Sequence, residues 1–430
     1  VASPLTTTGT IDNVVIEDVG LAGGNGTESS GLYFGGFSEE FGGDNFAQQV
    51  TATNVTIQNG LGRGVFSRGG LTDATVTQST IENMAQRSAG DVAVSVKLEK
   101  GGGLTLTESF VRGPSSVNGT AGPIIDANNS TAGSSISPIR LAVESTLIER
   151  NISTVDLARA SKGSAPAFTA NLSANAYVDA TGPGVLTTAT DINNLISTSS
   201  ATIDFNPFLN SLTDTDTGTA GFQGDFSRLT ATTAGDQIGA FGANQRIAEG
   251  IDAVDSGGTV IVEADTFEEN LIITKSNVTV EGAQAGTAAN TTRGTESTVT
   301  PATSDGTTGV VIDVQASNVT LDGLEIDANN SNLSGGADAA IGVLMDASTT
   351  TGLSGVTVQN TIVRNIPSLN TNPAGGIVGI GSSSGNVIRQ NLLTNFGAFN
   401  GSTTPESTNA GIGLRGNFFA TVENNTSDNV

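Results

Sequence analysis

One short pattern recurs along the chain and restricts its fold more than any other feature. It is an alternating V-T-V-type run, a polar pair, then a second apolar run ending near Asn. The clearest copy is Val356-Thr357-Val358-Gln359-Asn360-Thr361-Ile362-Val363-Arg364-Asn365. Other copies lie at 55–59, 74–84, 104–113, 141–151, 319–328 and 387–396, with weaker ones starting at Val14, Val278 and Thr421. Alternation puts Val, Ile and Leu on one side of a strand and Thr, Ser and Asn on the other. Val358 has counterparts at Ile16, Ile57, Val76, Leu106 and Val143, then at Val280, Leu321, Ile388 and Val422. The intervals are 41, 19, 30 and 37 residues in the first half, and 41, 37, 30 and 34 in the second. A floor near twenty with variable excess predicts a fixed coil of three short strands, with loops of different length at the corners.

Further runs sit between these copies and supply another strand of each coil: 31–34, 64–66, 91–96, 122–125, 340–345, 375–380 and 411–414. Several begin with Gly, as a tight corner with positive φ requires. A parallel stack of such coils buries a narrow core of β-branched residues and needs few aromatics. Aromatics are 4% of the chain, with no Trp. The fragment Ile-Asp-Ala-Asn-Asn-Ser occurs at 125–130 and again at 326–331, which points to two related units.

The second unit has a distinct opening. In 244–282, Ile247, Ile251 and Val254 share one helical face, and Gly257 with Gly258 stops the helix. Short strand-like runs follow at 259–262, 271–274 and 278–280. An apolar helix ahead of stacked strands suits the open end of a solenoid, where a bare coil would expose its core and unpaired backbone. The expected division is therefore a first unit at 1–209, a linker or loose cap at 210–242, and a second unit at 243–430. We expect the first to be incomplete at its N-terminus and the second at its C-terminus. The run from Thr421 to Asn425 reads as the start of another coil, so the chain is expected to be a piece of something longer.

Charge narrows the function classes. The net charge of −25 comes from 17 Lys and Arg against 42 Asp and Glu, in a chain only 14% charged. Nucleic acid and anionic lipid need basic patches, so neither is an expected partner. No apolar run approaches a membrane span, so no membrane insertion is expected. The absence of His removes the commonest general base and imidazole ligand. The fold must also hold without disulfides, since there is no Cys.

The V-T-V-x-N-x-x-V-x-N coils resemble the right-handed parallel β-helix repeats of the pectate-lyase-like superfamily. The stretch GGTVIVEADTFEENLIITKSNVTVEGA, with the helix ahead of it, is similar to the usual entry of such domains. Ile203-Asp204-Phe205-Asn206-Pro207-Phe208-Leu209 resembles their closing segment, with Pro207 suited to a strand end. The resemblance covers residues 10–155 and 244–430. It implies an all-β fold: two tandem right-handed parallel β-helix units, the second opened by an amphipathic cap helix. Lyases and hydrolases of the superfamily act on acidic polysaccharides through Asp clusters, often with Ca²⁺, or through Arg or Lys bases.

Candidates for such chemistry are few. Asp313, Asp322, Glu325 and Asp327 lie close together in sequence, and alternation turns Glu325 and Asp327 outward, where two carboxylates could bind Ca²⁺ or serve as an acid/base pair, the alternative being solvated surface carboxylates. Arg364 and Arg389 occupy near-equivalent stretches of neighbouring coils, with Arg415 following, and Arg112 and Arg150 invite the same idea in the first half. If the chain is an enzyme, Asp322, Asp327, Arg364 and Arg389 are the residues to carry it. Asp214 and Asp216 ahead of Gly218 have the spacing of a small Ca²⁺ loop; no other cofactor is expected. The Asn-x-Ser/Thr triplets at Asn54, Asn151, Asn277 and Asn318 sit at strand starts, where turn chemistry accounts for them. Phe34, Phe37, Phe41 and Phe46 form a Gly-rich cluster expected to pack over a solenoid face, with a contact surface as the alternative. These residues favour a non-catalytic structural or adhesive rod segment, outside the cell or on its surface. Its partners would be other copies or further domains of the same protein. The alternative is a polysaccharide-binding or polysaccharide-cleaving domain.

Overall fold

The computed structural model describes residues 6–18, 30–35, 47–60, 62–68, 72–84, 94–99, 103–116, 122–129, 140–163, 167–238, 244–302, 309–333, 339–348, 352–366, 375–396 and 410–428. It is an all-β parallel solenoid of about nine turns, 4% helical. Two compact units divide it: Val1–Asp225 with Ala234–Gly239, and Phe226–Thr233 with Ala240–Val430.

In the second unit each coil runs over three faces. The first face stacks Arg228–Ala231, Thr259–Val262, Thr279–Glu281, Thr320–Asp322, Thr357–Gln359, the end of Gly375–Arg389, and Asn417–Glu423. The second stacks Thr266–Glu268, Thr298–Thr300, Glu325–Asp327, Ile362–Arg364, Leu392–Thr394 and Thr426–Asp428. The third stacks Leu271–Ile273, Val310–Val314, Ile341–Ala347, the start of Gly375–Arg389, and Ala410–Leu414. Every pairing is parallel, so identical inward positions form columns. Val280, Leu321, Val358, Ile388 and Val422 make one such column, in the register the sequence predicts.

The first unit has the same plan, but the expected register slips there. Ile57 stacks on Ile81, not on Val76, and Val76 stacks on Ala52. Both strands flanking a corner carry the same apolar alternation, and each ends on a residue of positive φ. Asn54 and Asn59 (φ 51° and 56°) are followed one coil later by Gln78 and Asn83 (φ 51° and 52°). The local motif thus occurs twice per coil, five residues apart. The faces here are Thr72–Thr77, Gly103–Thr107 and Arg140–Glu144; Thr80–Glu82, Phe110–Arg112 and Leu147–Arg150; and Arg63–Arg68, Val94–Glu99, Ile125–Asn129 and Ala158–Lys162.

Tight corners leave backbone N–H groups without ladder partners, and buried polar side chains satisfy them. Ser79 Oγ accepts from Val55 N, Ser109 Oγ from Ser79 N, and Asn175 Oδ1 from Thr146 N. In the second unit Asn391 Oδ1 accepts from Thr361 N, and Asn425 Oδ1 from Asn391 N. Each coil's corner is completed by the next coil. Outside, Asn318 Nδ2 donates to Asn277 Oδ1 at 2.9 Å and Asn54 to Asn13, so three of the four triplet asparagines serve corner ladders.

The cap helix is Arg246–Ala253, with Ile247, Ile251 and Val254 buried against the core. Within 210–242, Asp214 and Gly224 form an antiparallel bridge, and Arg228–Ala231 pairs with Thr259–Val262.

An inserted segment runs lengthwise over a corner in each unit. In the second unit, residues 282–297 bond to successive coils. Gln284 N donates to Gly323 O, Arg293 to Asn360 O, Ala289 N to Gln390 O, and Asn290 Nδ2 to Thr426 Oγ1. In the first unit Phe222 N donates to Glu108 O, and the Phe222 ring packs on Phe110 with centroids 5.7 Å apart.

Candidate functional site

The carboxylates that lie together in sequence lie on three different faces. Asp313 is on the third, Asp322 on the first, and Glu325 with Asp327 on the second. Each tight corner turns the chain between them, so adjacency in sequence does not become convergence in space.

Glu325 and Asp327 do share an outward side, but they are not solvated: both are 8% exposed. Arg364, one coil on, covers them. Its Nη2 lies 2.8 Å from Glu325 Oε1, and its Nε faces Asp327 Oδ2 at 3.1 Å as a charge contact without an aligned hydrogen bond. Asp327 Oδ1 accepts from Asn365 Nδ2 and Asn329 N, and Glu325 Oε1 from Thr298 Oγ1. Burial raises the Glu325 carboxyl above its usual range, against the pull of Arg364. Chemically this is a neutralising cluster that ties coils together.

Asp322 and Arg389 meet only through Gln359. Arg389 donates twice to Gln359 Oε1, whose amide donates to Asp322 Oδ2 at 2.8 Å. Asp322 Oδ1 accepts from Asn360 Nδ2 and Gly286 N. Arg364 and Arg389 are not stacked: their register partners are Thr394 and Gln359, on different faces. Arg415 follows the third-face strand Ala410–Leu414 and is exposed. The four residues named for an enzyme therefore form two separate groups.

Asp214 and Asp216 spend oxygens on their own turn. Asp214 Oδ1 accepts from Asp216 N, Asp216 Oδ1 from Gly218 N, and Asp216 Oδ2 from Thr219 Oγ1. The Thr219 hydroxyl holds the Asp216 carboxyl below its usual range. Among the described residues no group of three or more acidic side chains comes together as a metal site. In the first unit Arg112 bridges Glu82 and Glu149, and Arg150 is buried against Asp179 at 2.6 Å.

Sequence reasoning missed three polar arrangements. On the third face of the first unit, Tyr33, Phe66, Lys97, Asp126 and Arg159 occupy one register column. Tyr33 is 53% exposed, its ring is 5.3 Å from Phe66, and Arg63 lies 4.2 Å over Phe66. Arg159 grips the buried Asp126 with two bonds of 2.9 Å. Phe34, one residue along, points into the core, while Phe37, Phe41 and Phe46 lie outside the described residues. On the third face of the second unit, burial raises the Asp313 carboxyl; Gln315 opposes this and nearby Asp346 adds to it. The third is Glu269, buried at the N-terminus of the cap helix. The signal for the column was present, since alternation puts Tyr33 and Asp126 outward. Pairing between coils about thirty residues apart is what could not be read.

The class these observations define is a parallel β-solenoid of two units. No family model matches the chain, and no curated protein matches it. Among solved structures it is similar to a PL6 family alginate lyase, at 10% identity over 100% of this chain and 87% of that chain, with a TM-score of 0.24. A likeness of that size carries no argument about activity. Among the described residues no helix is long and apolar enough to cross a membrane.

Proposed function

We propose that the chain is a non-catalytic rod segment of an extracellular or cell-surface protein, built to resist separation of its coils. The lengthwise segment 282–297 carries this reading. It is bonded to the coils of Gly323, Asn360, Gln390 and Thr426, so pulling one coil away breaks bonds to others. Asp322, Asp327, Arg364 and Arg389, the residues named for an enzyme, bond between coils, which supports the same reading. Its partners are further coils of the same protein or other copies of it.

The column of Tyr33, Phe66 and the Asp126–Arg159 pair favours a second reading, contact with an acidic polysaccharide. An exposed ring and a guanidinium held by a buried carboxylate suit a uronate chain. Incubation with a panel of acidic and neutral polysaccharides, with and without Ca²⁺, separates the readings. Neither binding nor cleavage is expected. Binding alone would establish the second reading, and new reducing or unsaturated ends would overturn both.

A further inference from the structure

We propose that the free edge of Thr266–Glu268 is a strand-addition site, which takes an extended basic peptide as a first strand for the second face. The other two faces of the second unit are covered ahead of this point. Arg228–Ala231 pairs onto Thr259–Val262 on the first, and the helix Arg246–Ala253 packs against Leu271–Ile273 on the third. The second face begins at Thr266–Glu268, which pairs with Thr298–Thr300 and, among the described residues, with no strand on its other side. The run after Arg228–Ala231 does not supply one, since Asp236 N donates to Ile203 O within the first unit. A cavity of about 200 Å³ lies there, with Thr233, Asn244, Arg246, Thr266, Phe267 and Glu268 among its lining residues. Thr233 donates to Asp265 at one end, and the helix N-terminus bonds to Glu269 at the other. The slot is thus as long as the three-residue strand beside it.

The ladder decides what fits. Thr298 N donates to Asp265 O and Glu269 N to Thr300 O, so this parallel pairing turns the Glu268 N–H and the Thr266 carbonyl to the open side. One residue laid opposite Phe267 satisfies both: its N–H donates to Thr266 O, and its carbonyl accepts from Glu268 N. An extended main chain is the ligand that carries a donor and an acceptor at that spacing. Side-chain preference follows from the columns. The central residue of the peptide faces inward over Phe267, Val299 and Ile326, all buried, so it is apolar and best β-branched. Its two neighbours stack outward on Thr266 and Glu268. Glu268 and Asp265 make this rim acidic on a chain of net charge −25, while Arg246 is engaged with the Thr232 carbonyl at 3.0 Å. The residue over Glu268 is therefore Lys or Arg. Such a site adds recognition of a separate peptide to the rod reading and does not depend on it.

Hydrogen exchange at the Glu268 amide of the whole chain, read with and without the acetylated and amidated pentapeptide Ser-Thr-Val-Lys-Ser, tests this. Exchange is expected to slow about tenfold at a peptide concentration about ten times its Kd. The same peptide N-methylated on its Val lacks the N–H for Thr266 O and should leave the rate unchanged. Glu268→Lys should weaken binding of the Lys peptide about threefold and favour the peptide with Glu in place of Lys. A Glu268 amide already protected in the protein alone would overturn the proposal. So would a rate unmoved by the peptide, or an equal effect of the N-methylated form, which would mean attraction by charge without pairing.

Discussion

Glu269 and Lys275 flank one short strand, Leu271–Ile273, and close opposite ends of the same helix. Glu269 accepts from the N–H groups of Ile247 and Ala248, while the Lys275 ammonium donates to the carbonyls of Asp252 and Val254. A carboxylate at the N-terminus and an ammonium at the C-terminus both complement the helix dipole. A helix of eight residues is too short to persist by propensity alone. Lys275→Met keeps the aliphatic stem and removes the charge. It should lower the stability of the second unit by about 1 kcal/mol. Urea denaturation would show this as an earlier midpoint with an unchanged slope; an unchanged midpoint would mean that packing alone holds the helix.

The Arg150–Asp179 pair makes the first unit acid-sensitive. Its hydrogen bond to Arg150, aided by Thr181, pushes the Asp179 carboxyl down to about 2 from an ordinary 3.8. A depressed carboxyl contributes stability that is fully present above the unfolded value and is lost as pH falls through the folded one. Between about pH 4 and pH 2 the unit should lose about 2 kcal/mol through this group. Asp179→Asn should abolish that part of the acid dependence. It should also cost about 3 kcal/mol at neutral pH, because Arg150 is left buried without its counter-ion. Denaturant titrations of both proteins across this range measure the two effects together.

What could be read from the sequence follows from the physics of the ladder. Alternation within a strand is local, so inward residues such as Val280, Leu321 and Val358 were legible, and so were the third-face runs that begin with Gly, although Gly31, Gly64, Gly375 and Gly411 lie within strands and do not take the positive φ expected of them. Register is a longer-range property. It failed where Ile57 and Val76 carry interchangeable surroundings, since the strands on both sides of a corner end on residues of positive φ. Thr266–Glu268 was missed because its outward Thr and Glu leave Phe267 as a lone apolar residue. The candidate site failed for a related reason. Asp322 and Asp327 are five residues apart, but a corner at Gly323, with φ 71°, sends them to different faces.

Two glycines separate backbone strain from steric conflict. Gly184 and Gly221 both have positive φ, 86° and 82°. A Cβ on Gly184 would meet nothing within 4 Å, whereas one on Gly221 would lie 2.0 Å from the Glu108 carbonyl oxygen. Gly184→Ala should cost about 1 kcal/mol, the left-handed penalty alone. Gly221→Ala should cost about 3 kcal/mol or more, because the segment carrying Phe222 must lift from the corner. Thermal unfolding of the two variants would show the difference, and equal losses would mean that the segment yields freely.

Arg293 is the residue on which the lengthwise segment of the second unit depends. Its side chain is 4% exposed, forks onto Glu296 at 2.7 and 2.8 Å, and donates to the carbonyls of Thr287 and Asn360. One guanidinium thus folds the segment onto itself and fastens it to a coil more than sixty residues away. Arg293→Ala leaves Glu296 with its charge uncompensated and the Asn360 carbonyl without this donor. The loss should be about 3 kcal/mol. Glu296→Gln in the same background should recover part of it, the signature of a coupled pair. If the segment fastens coils against tension, the variant should also unfold at lower force when stretched along the chain, in smaller steps, as coils release singly. A stability loss without a change in unfolding force would keep the ion pair but remove the basis for the rod reading.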